Sequence, residues 1–216
     1  MRTSIPPLPD AGPTAASSPL SVKQAFRFAP TDQGHIDQLL VWAELPIGAN
    51  VLDLGAGNGC VAARMRARRP DLSFCLVDQD RRALDAAGST WRTHCADICN
   101  IPEPNGSFDA LLCCYAMGYV PTADFFREAA RVARRGAVVF IVDMVPLDGT
   151  LDSLSLFGYA IRGRTNVESH AASAGLKLDF YLEPTDDRSW GEAQFPGYFH
   201  ILFGEVRPAI WRFTLP

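Results

Sequence analysis

Continuous apolar runs alternate with amphipathic segments over the middle of the chain. Apolar runs that break at glycine or polar residues predict strands, which lie at 50–55, 72–78, 91–97, 108–116 and 137–144. Apolar residues at helical spacing predict helices, the first from residue 34 to Pro46 and the others at 60–69, 80–88 and 122–135. Runs that are apolar throughout are typical of strands buried on both faces. The pattern therefore predicts a doubly wound α/β fold, with a mostly parallel sheet and helices on both faces.

The two ends of the chain are less regular. After residue 144 the sequence predicts a helix at 167–176, strands at 177–183 and 208–215, and either state at 195–206. Residues 1–21 contain five prolines and four serines, with almost no large apolar side chains. Such a segment cannot bury enough surface to offset its ordering entropy, so it is predicted to be a disordered tail. Residues 22–216 are then expected to form a single domain.

Charge and cysteine content narrow the class of protein. The 216 residues include 24 acidic and 20 basic side chains, for a net charge of −4, which disfavours binding to nucleic acid through a basic surface. No apolar run approaches the roughly 18 residues of a membrane-spanning helix. The six cysteines are scattered without a CxxC pair. We therefore expect reduced thiols in a cytoplasmic protein, no membrane contact and no metal site.

A glycine-rich turn follows the first predicted strand. In VLDLGAGNG, Gly55, Gly57 and Gly59 stand where the chain must turn from strand into helix, and glycine lets the backbone approach a ligand closely. Asp53 precedes the turn, and Asp78 ends the second predicted strand 19 residues past Gly59. A carboxylate at that position can accept hydrogen bonds from ribose hydroxyls. The arrangement predicts a site for a nucleotide-containing cofactor.

The spacing of the glycines bears on which cofactor is bound. The dinucleotide fingerprint G-x-G-x-x-G would place its third glycine at position 60, which is Cys60. The spacing here is G-x-G-x-G, which disfavours a nicotinamide or flavin dinucleotide. Two alternatives stay open: an NAD(P)-binding oxidoreductase of Rossmann type, and a non-catalytic module that binds the cofactor without transferring a group.

Five segments, in order, resemble the class I S-adenosylmethionine-dependent methyltransferases. The family's first motif, E/D-x-G-x-G-x-G, is matched by DLGAGNG at 53–59, and its acidic residue at the end of the second strand by Asp78 in CLVDQD. Asp97 in HCADI fits a further acidic position of the family. FDALLCCYAMGYV at 108–120 is similar to the fourth strand, and REAARVARRGAVVFIVD at 127–143 is similar to the helix and strand that follow.

The resemblance covers about residues 35–145, with a departure at Ala137, where the family commonly has a glycine. It implies a seven-stranded sheet with an antiparallel last strand and S-adenosylmethionine as the cofactor, with substrate-side elements at 22–34 and 146–216. The glycines would pass the methionine moiety, with Asp53 at its amino group, Asp78 at the ribose, and Asp97 and Ile98 around the adenine. The cofactor-binding residues so implied are Asp53, Gly55, Ala56, Gly57, Asn58, Gly59, Asp78, Gln79, Asp97, Ile98 and Cys113.

The chemistry of this cofactor asks little of the protein. S-adenosylmethionine is an activated sulfonium, so methyl transfer is an in-line displacement that positioning promotes, and a base is needed only where the acceptor loses a proton. Tyr115, Tyr119 and Asp143 are the candidate catalytic residues on the acceptor side. The [DNS]-P-P-[YFW] tetrad of amino-group nucleic-acid methyltransferases is absent at 112–115. A small-molecule methyl acceptor is therefore expected rather than a nucleic acid, and aminopropyl transfer is disfavoured because 113–115 holds no carboxylate.

Overall fold

The computed structural model describes residues 33–156, 158–183 and 206–216. A seven-stranded sheet runs through this part of the chain in the order β3-β2-β1-β4-β5-β9-β8. Its strands are β1 (Asn50–Leu54), β2 (Ser73–Asp78), β3 (Arg92–Cys95), β4 (Phe108–Cys114), β5 (Ala133–Pro146), β8 (Lys177–Leu182) and β9 (Val206–Thr214). Strands β1 to β5 are mutually parallel, whereas β9 is antiparallel to both β5 and β8. The predicted seven-stranded, mostly parallel sheet with an antiparallel last strand is confirmed.

Helices cover both faces of this sheet, as predicted. The helices are α1 (Gln33–Ala43), α2 (Cys60–Arg68), α3 (Arg81–Ala87), α4 (Thr122–Val132) and α5 (Arg164–Ser173), with a 3₁₀ turn at Met117–Tyr119. One face packs against α1, α2 and α3 through buried side chains that include Ile36, Leu39, Met65 and Leu84. The other packs against α4 and α5 through Phe125, Phe126, Val132, Val167 and Ala171. Burial on both faces explains why the strands are apolar at successive positions.

The prediction of a helix at 122–135 was wrong at the C-terminal end of that helix. Helix α4 stops at Val132, and Ala133 opens β5 by pairing with Phe108 of β4. The Arg134 guanidinium donates to the Asp109 carboxylate at 2.5 Å and to the Gly106 carbonyl at 3.1 Å. These tertiary contacts override the helical spacing of the local sequence. The helix predicted at 167–176 also lies earlier, at α5.

A two-stranded hairpin was not predicted at all. Strand β6 (Ser153–Leu156) pairs antiparallel with β7 (Tyr159–Arg162), separate from the main sheet. The Gly163 N–H donates to the Asp152 carbonyl at 2.7 Å, which closes the open end of the hairpin. Arg162 ties the hairpin to the start of α4, because its Nε donates to Thr122 Oγ1 at 2.8 Å and its Nη2 to the Val120 carbonyl at 3.2 Å.

Several predictions concern residues that the structure does not describe. Outside the described residues lie the tail at 1–21, residues 22–32 of the substrate-side segment predicted at 22–34, and residues 195–205 of the ambiguous segment predicted at 195–206. The domain boundaries therefore stay predictions. All six cysteines lie within the described part, and none of them forms a disulfide there. In that same part, no helix is both long and apolar enough to cross a membrane.

Candidate functional site

The glycine-rich turn lies between β1 and α2, at the carboxyl edge of the sheet. Gly55, Gly57 and Gly59 have φ values of +68°, +58° and +69°, all in the left-handed region that glycine adopts without a steric penalty. The Ala56 N–H donates to the Val77 carbonyl at 3.0 Å, and the Gly59 N–H donates to the Ala56 carbonyl at 3.0 Å. The first of these hydrogen bonds fixes the turn against β2, and the second closes the turn on itself.

Gly59 is also constrained by its surroundings. A Cβ at this position would lie 2.8 Å from Leu76 Cδ1 and 3.4 Å from Ala87 Cβ. Leu76 is fully buried in β2, so its side chain has little room to move away. The third glycine of the turn therefore lets α2 start close to β2 and α3.

Asp78 connects the glycine turn to the end of β2. One carboxylate oxygen accepts from the Gly57 N–H at 2.7 Å, and the other accepts from the Asp80 N–H at 2.9 Å. Asp80 in turn caps α3 by accepting from the Arg82 N–H at 2.9 Å and the Ala83 N–H at 3.3 Å. The structure brings together the two features that the sequence singled out, the glycine turn and the acid ending the second strand.

Three other predicted cofactor residues lie around the glycine turn. Asp53 is 2% exposed in β1, between Leu76 of β2 and Leu112 of β4. Ala56 is buried within the turn itself. Asn58 accepts from the Cys60 N–H at 3.3 Å through its side-chain oxygen, at the point where α2 begins.

The remaining predicted cofactor residues follow the ends of neighbouring strands. Asp97 is exposed after β3 and accepts from the Cys99 N–H at 2.8 Å, while Ile98 beside it is buried. Gln79 is exposed directly after Asp78 at the end of β2. Cys113 is buried in β4, where it pairs with Leu54, the last residue of β1. All of these positions share the carboxyl edge, where open α/β sheets bind their ligands.

The candidate catalytic residues lie farther along the same edge, beside β4 and β5. The Tyr115 N–H donates to the Val142 carbonyl at 2.8 Å, and Tyr115 has a φ of +52°, which is rare for a residue with a side chain. Its side chain is fully buried, and burial raises the pKa of Tyr115 well above its ordinary value. Tyr119 is 46% exposed and packs edge-to-face on Tyr159, with ring centroids 4.8 Å apart.

Asp143 forms a buried pair with a residue that sequence reasoning missed. The Tyr159 hydroxyl donates to one Asp143 oxygen at 2.5 Å, and the Met144 N–H donates to the other at 2.8 Å. Burial, followed by the charge and hydrogen bond of Asp143, raises the pKa of Tyr159 well above its ordinary value. Gly118 adjoins the Tyr159 ring so closely that any side chain there would collide with it. Tyr159 comes from the β6–β7 hairpin, for which the alternation in SLSL was the only sequence signal.

Comparisons with known sequences find a methyltransferase family and individual methyltransferases. Residues 51–136 match the family described as a methyltransferase domain. A malonyl-[acyl-carrier protein] O-methyltransferase of Geobacter sulfurreducens is 34% identical over 100 residues, which are 43% of this chain and 38% of that protein. A ribosomal RNA large subunit methyltransferase G of Pseudomonas syringae is 35% identical over 74 residues, 30% of this chain and 20% of that protein. The chain thus spans less than half the length of these relatives.

Solved structures share the fold over most of the chain. The [4+2]-cyclase SpnF superimposes with a TM-score of 0.71 at 16% identity, over 85% of this chain and 81% of that one. A geranyl diphosphate C-methyltransferase from Streptomyces coelicolor superimposes with a TM-score of 0.70 at 14% identity, over 85% of this chain and 77% of that one. The latter structure contains S-adenosyl-L-homocysteine. At these identities the similarity establishes the fold.

Proposed function

Because this chain belongs to the class I S-adenosylmethionine-dependent methyltransferase family, we propose that it binds S-adenosylmethionine and transfers the methyl group to a small-molecule acceptor. The observation that carries the proposal is the contact between Asp78 and the glycine turn. Three left-handed glycines form a turn at the carboxyl edge, and the acid that would bind ribose is hydrogen-bonded to the middle one at 2.7 Å. The NAD(P)-dependent oxidoreductase alternative has no comparable support from the family match.

The chain's own residues support a position for each part of the cofactor. Each carboxylate oxygen of Asp78 accepts one backbone N–H and has a second lone-pair position for a ribose hydroxyl. The exposed Asp97 carboxylate and the buried Ile98 follow β3, on the side where the adenine would lie. The methionine moiety would pass the glycine turn beside Asp53. Ala56, Asn58, Gln79 and Cys113 complete the proposed site.

The acceptor side offers positioning rather than a strong base. The raised pKa of Tyr115 keeps its hydroxyl protonated at neutral pH, so Tyr115 serves as packing or as a donor and not as a base. The Asp143 carboxylate already accepts the Tyr159 hydroxyl. Tyr119, the most exposed of the three candidates, is proposed to contact the acceptor. Transfer from a sulfonium needs mainly alignment of the acceptor with the methyl group, which such a site supplies.

The class of acceptor is argued from charge and from the relatives. The net charge of −4 disfavours an RNA acceptor bound through phosphate contacts. The similar proteins are named for different classes of acceptor. One is a ribosomal RNA methyltransferase, and others are named for an acyl-carrier-protein-bound malonyl group or for geranyl diphosphate. The SpnF structure is named as a cyclase on the same fold, so cofactor binding and methyl transfer need separate tests. A cytoplasmic location stays a prediction from the cysteine content.

Calorimetric titration with S-adenosylhomocysteine tests the cofactor site, with NADH and NADPH as control ligands. We expect S-adenosylhomocysteine to bind, and neither NADH nor NADPH to bind. Asp78→Ala removes hydrogen bonds to a charged group, worth about 1.5–3 kcal/mol, so affinity should fall at least about tenfold. Asp80→Ala is the matched control, since it removes a neighbouring carboxylate that caps α3. Binding of NADH alone, or equal affinity of Asp78→Ala and the unaltered protein, would contradict the proposal.

Methyl transfer is tested with radiolabelled S-adenosylmethionine and three separate acceptor pools: small metabolites, RNA and protein. Label in the small-molecule pool is expected. Label confined to RNA would contradict the proposed small-molecule acceptor but would not contradict the proposed cofactor site. Tight cofactor binding with no labelled pool would instead favour the non-catalytic binding module.

A further inference from the structure

Three side chains with metal-binding atoms meet on the face of the sheet opposite α1, α2 and α3. Cys75 comes from β2, His94 from β3 and Glu103 from the connection between β3 and β4. One ligating atom of each lies within 4.8 Å of the other two. His94 Nε2 and Glu103 Oε1 are 2.5 Å apart. The cluster involves β2 and the edge strand β3, and none of its residues belongs to the glycine turn or to the Asp143–Tyr159 pair.

A thiol, an imidazole and a carboxylate are the side chains that bind zinc in proteins, and three of them leave one position for water. We propose that Cys75, His94 and Glu103 bind a thiophilic divalent cation of the Zn²⁺ type. Cys75 is fully buried and the Glu103 side chain is 4% exposed, so the cation would be held largely out of solvent. The His94 side chain is 25% exposed and gives the cation a way in.

Charge balance is met by the ligands. On binding, the Cys75 thiol loses its proton to solvent, and the thiolate and carboxylate together neutralise a divalent cation. His94 binds as the neutral imidazole through Nε2, with its remaining proton on Nδ1. A thiolate ligand selects Zn²⁺, Co²⁺ or Cu⁺ over Mg²⁺ and Ca²⁺, which prefer oxygen donors. The proposed site therefore discriminates against the abundant hard cations.

Two features oppose a cation here: burial raises the pKa of the Cys75 thiol to about 11, so metal binding must also drive its deprotonation, and Arg92 occupies Glu103. Arg92 Nη2 donates to the same Glu103 oxygen, Oε1, that faces His94. Arg92 is half exposed, so its guanidinium can move outward, and Glu103 has a second oxygen for the metal. Arg92 is thus a competitor for Glu103. Its removal should strengthen metal binding, whereas the removal of any ligand should weaken it.

The cluster would tie the β3–β4 connection to two strands of the sheet. Arg131 of α4 already holds this connection, donating to the Glu103 carbonyl at 2.8 Å and to the Ile101 carbonyl at 2.8 Å. A cation would add a bond through the Glu103 side chain. We expect it to raise the midpoint of thermal unfolding, whether or not the proposed methyl transfer is correct.

Titration of the full chain with Co²⁺ tests the site, because a thiolate ligand gives a charge-transfer absorption in the near ultraviolet. We expect the band to saturate at one equivalent, to be displaced by Zn²⁺ and to be absent from Cys75→Ser. Affinity in His94→Gln and Glu103→Gln should fall at least about tenfold, since even outer-shell changes cost 10–100-fold. In Arg92→Gln it should rise.

Matched controls come from neighbouring cysteines outside the cluster. Cys95 is exposed on the same strand as His94, with its Sγ 3.5 Å from the Gln79 carbonyl, and Cys99 lies in the same connection as Glu103. Cys95→Ser and Cys99→Ser should keep the band. The proposal would be overturned if the charge-transfer band were lost in Cys95→Ser or Cys99→Ser, if it persisted in Cys75→Ser, or if the unaltered protein gave no band. Circular dichroism of each variant without metal tests whether that variant is folded. If Cys75→Ser is folded and Zn²⁺ raises its thermal midpoint as much as that of the unaltered protein, the proposal is also refuted.

Discussion

Gly48 and Gly59 show how much of a glycine's role comes from its neighbours. Their φ values are nearly equal, +70° and +69°, but a Cβ at Gly48 would meet nothing within 4 Å, whereas one at Gly59 would meet Leu76 and Ala87. Backbone strain is therefore common to both positions, and crowding belongs to Gly59 alone. Comparison of Gly48 with Gly59 therefore separates the cost of backbone strain from the cost of side-chain crowding.

Gly48→Ala should destabilise the fold by about 1–2 kcal/mol, the cost of a left-handed residue with a side chain. Gly59→Ala should cost a further ~1–3 kcal/mol, because the added methyl group crowds a packed strand. Urea denaturation of the two variants measures the difference. Equal free energies of unfolding would mean that α2 shifts freely away from β2.

The sequence could predict which candidate cofactor residues come together at one edge of the sheet, because their signal is local. Glycines and acids at strand ends keep fixed spacings, so the contact between Asp78 and Gly57 was foreseeable from the order of strands. Tyr159 was not, because it reaches Asp143 from a hairpin outside the main sheet. The group of Cys75, His94 and Glu103 was also invisible, since three separate elements contribute one residue each and no short motif links them.

A cluster of hydrogen bonds holds the β3–β4 connection to α4. Glu128 is 8% exposed and accepts from the Ile101 N–H at 2.6 Å, while Arg131 donates to both Glu128 oxygens at 2.7 Å. Burial raises the pKa of Glu128, but the hydrogen bonds from Arg131 and Ile101 outweigh it and the net shift is downward. The ionised form of Glu128 therefore stabilises the folded state.

Glu128→Ala should lower the free energy of unfolding at pH 7 by about 1.5–3 kcal/mol, because it deletes charged hydrogen bonds and leaves the Ile101 N–H without its acceptor. A depressed folded-state pKa means that this stabilisation is present above the unfolded pKa of about 4.3 and is lost as pH falls through the lower folded value. The variant should thus lose less stability than the unaltered protein on acidification below about pH 4.3. Urea denaturation across the pH range measures both effects.

Asp124→Ala is the control on the same helix. Asp124 pairs with Arg127 at 2.6 Å, but both side chains are exposed, and such pairs contribute roughly 0–1 kcal/mol. Similar losses in Asp124→Ala and Glu128→Ala would show that helix propensity, and not the cluster, accounts for the effect.

The boundary between α4 and β5 marks the limit of pattern reasoning for an element. The sequence through Arg135 fits helical spacing and a glycine stop at Gly136. Yet β5 begins at Ala133, and the Gly136 N–H donates to the Leu215 carbonyl at 2.6 Å. The partner of that bond lies 79 residues away in the chain, so local periodicity could not reveal it.

The whole sheet depends on its last strand. Strand β9 lies between β5 and β8 and contributes Ile210, Trp211 and Phe213, which are at most 1% exposed. In the described sheet, β8 pairs with β9 alone. The apolar runs predicted the strand positions and the mostly parallel direction, whereas the seven-stranded sheet with an antiparallel last strand was implied by the family resemblance alone.

Deletion of residues 206–216 should abolish cooperative folding. Burial of each of these three large side chains contributes about 1.5–3 kcal/mol, and their sum approaches the roughly 5–15 kcal/mol of a typical domain. Thermal denaturation followed by circular dichroism should show no sigmoidal transition. Deletion of the exposed Pro216 alone is the control and should shift the midpoint by no more than about 2 °C. A cooperative transition in the longer deletion would mean that β1 to β5 fold on their own.

The place of β9 also sets an order of events during synthesis. Strands β1 to β5 and β8 leave the ribosome before β9, which joins β5 to β8. The edge of β5 that pairs with β9 therefore stays unpaired until residues 206–214 have been translated. An edge of this kind, which is apolar from residue 137 to residue 146 except at Asp143, invites pairing with another nascent chain. The newly made protein is therefore most dependent on chaperones in the interval between the emergence of β5 and the arrival of β9.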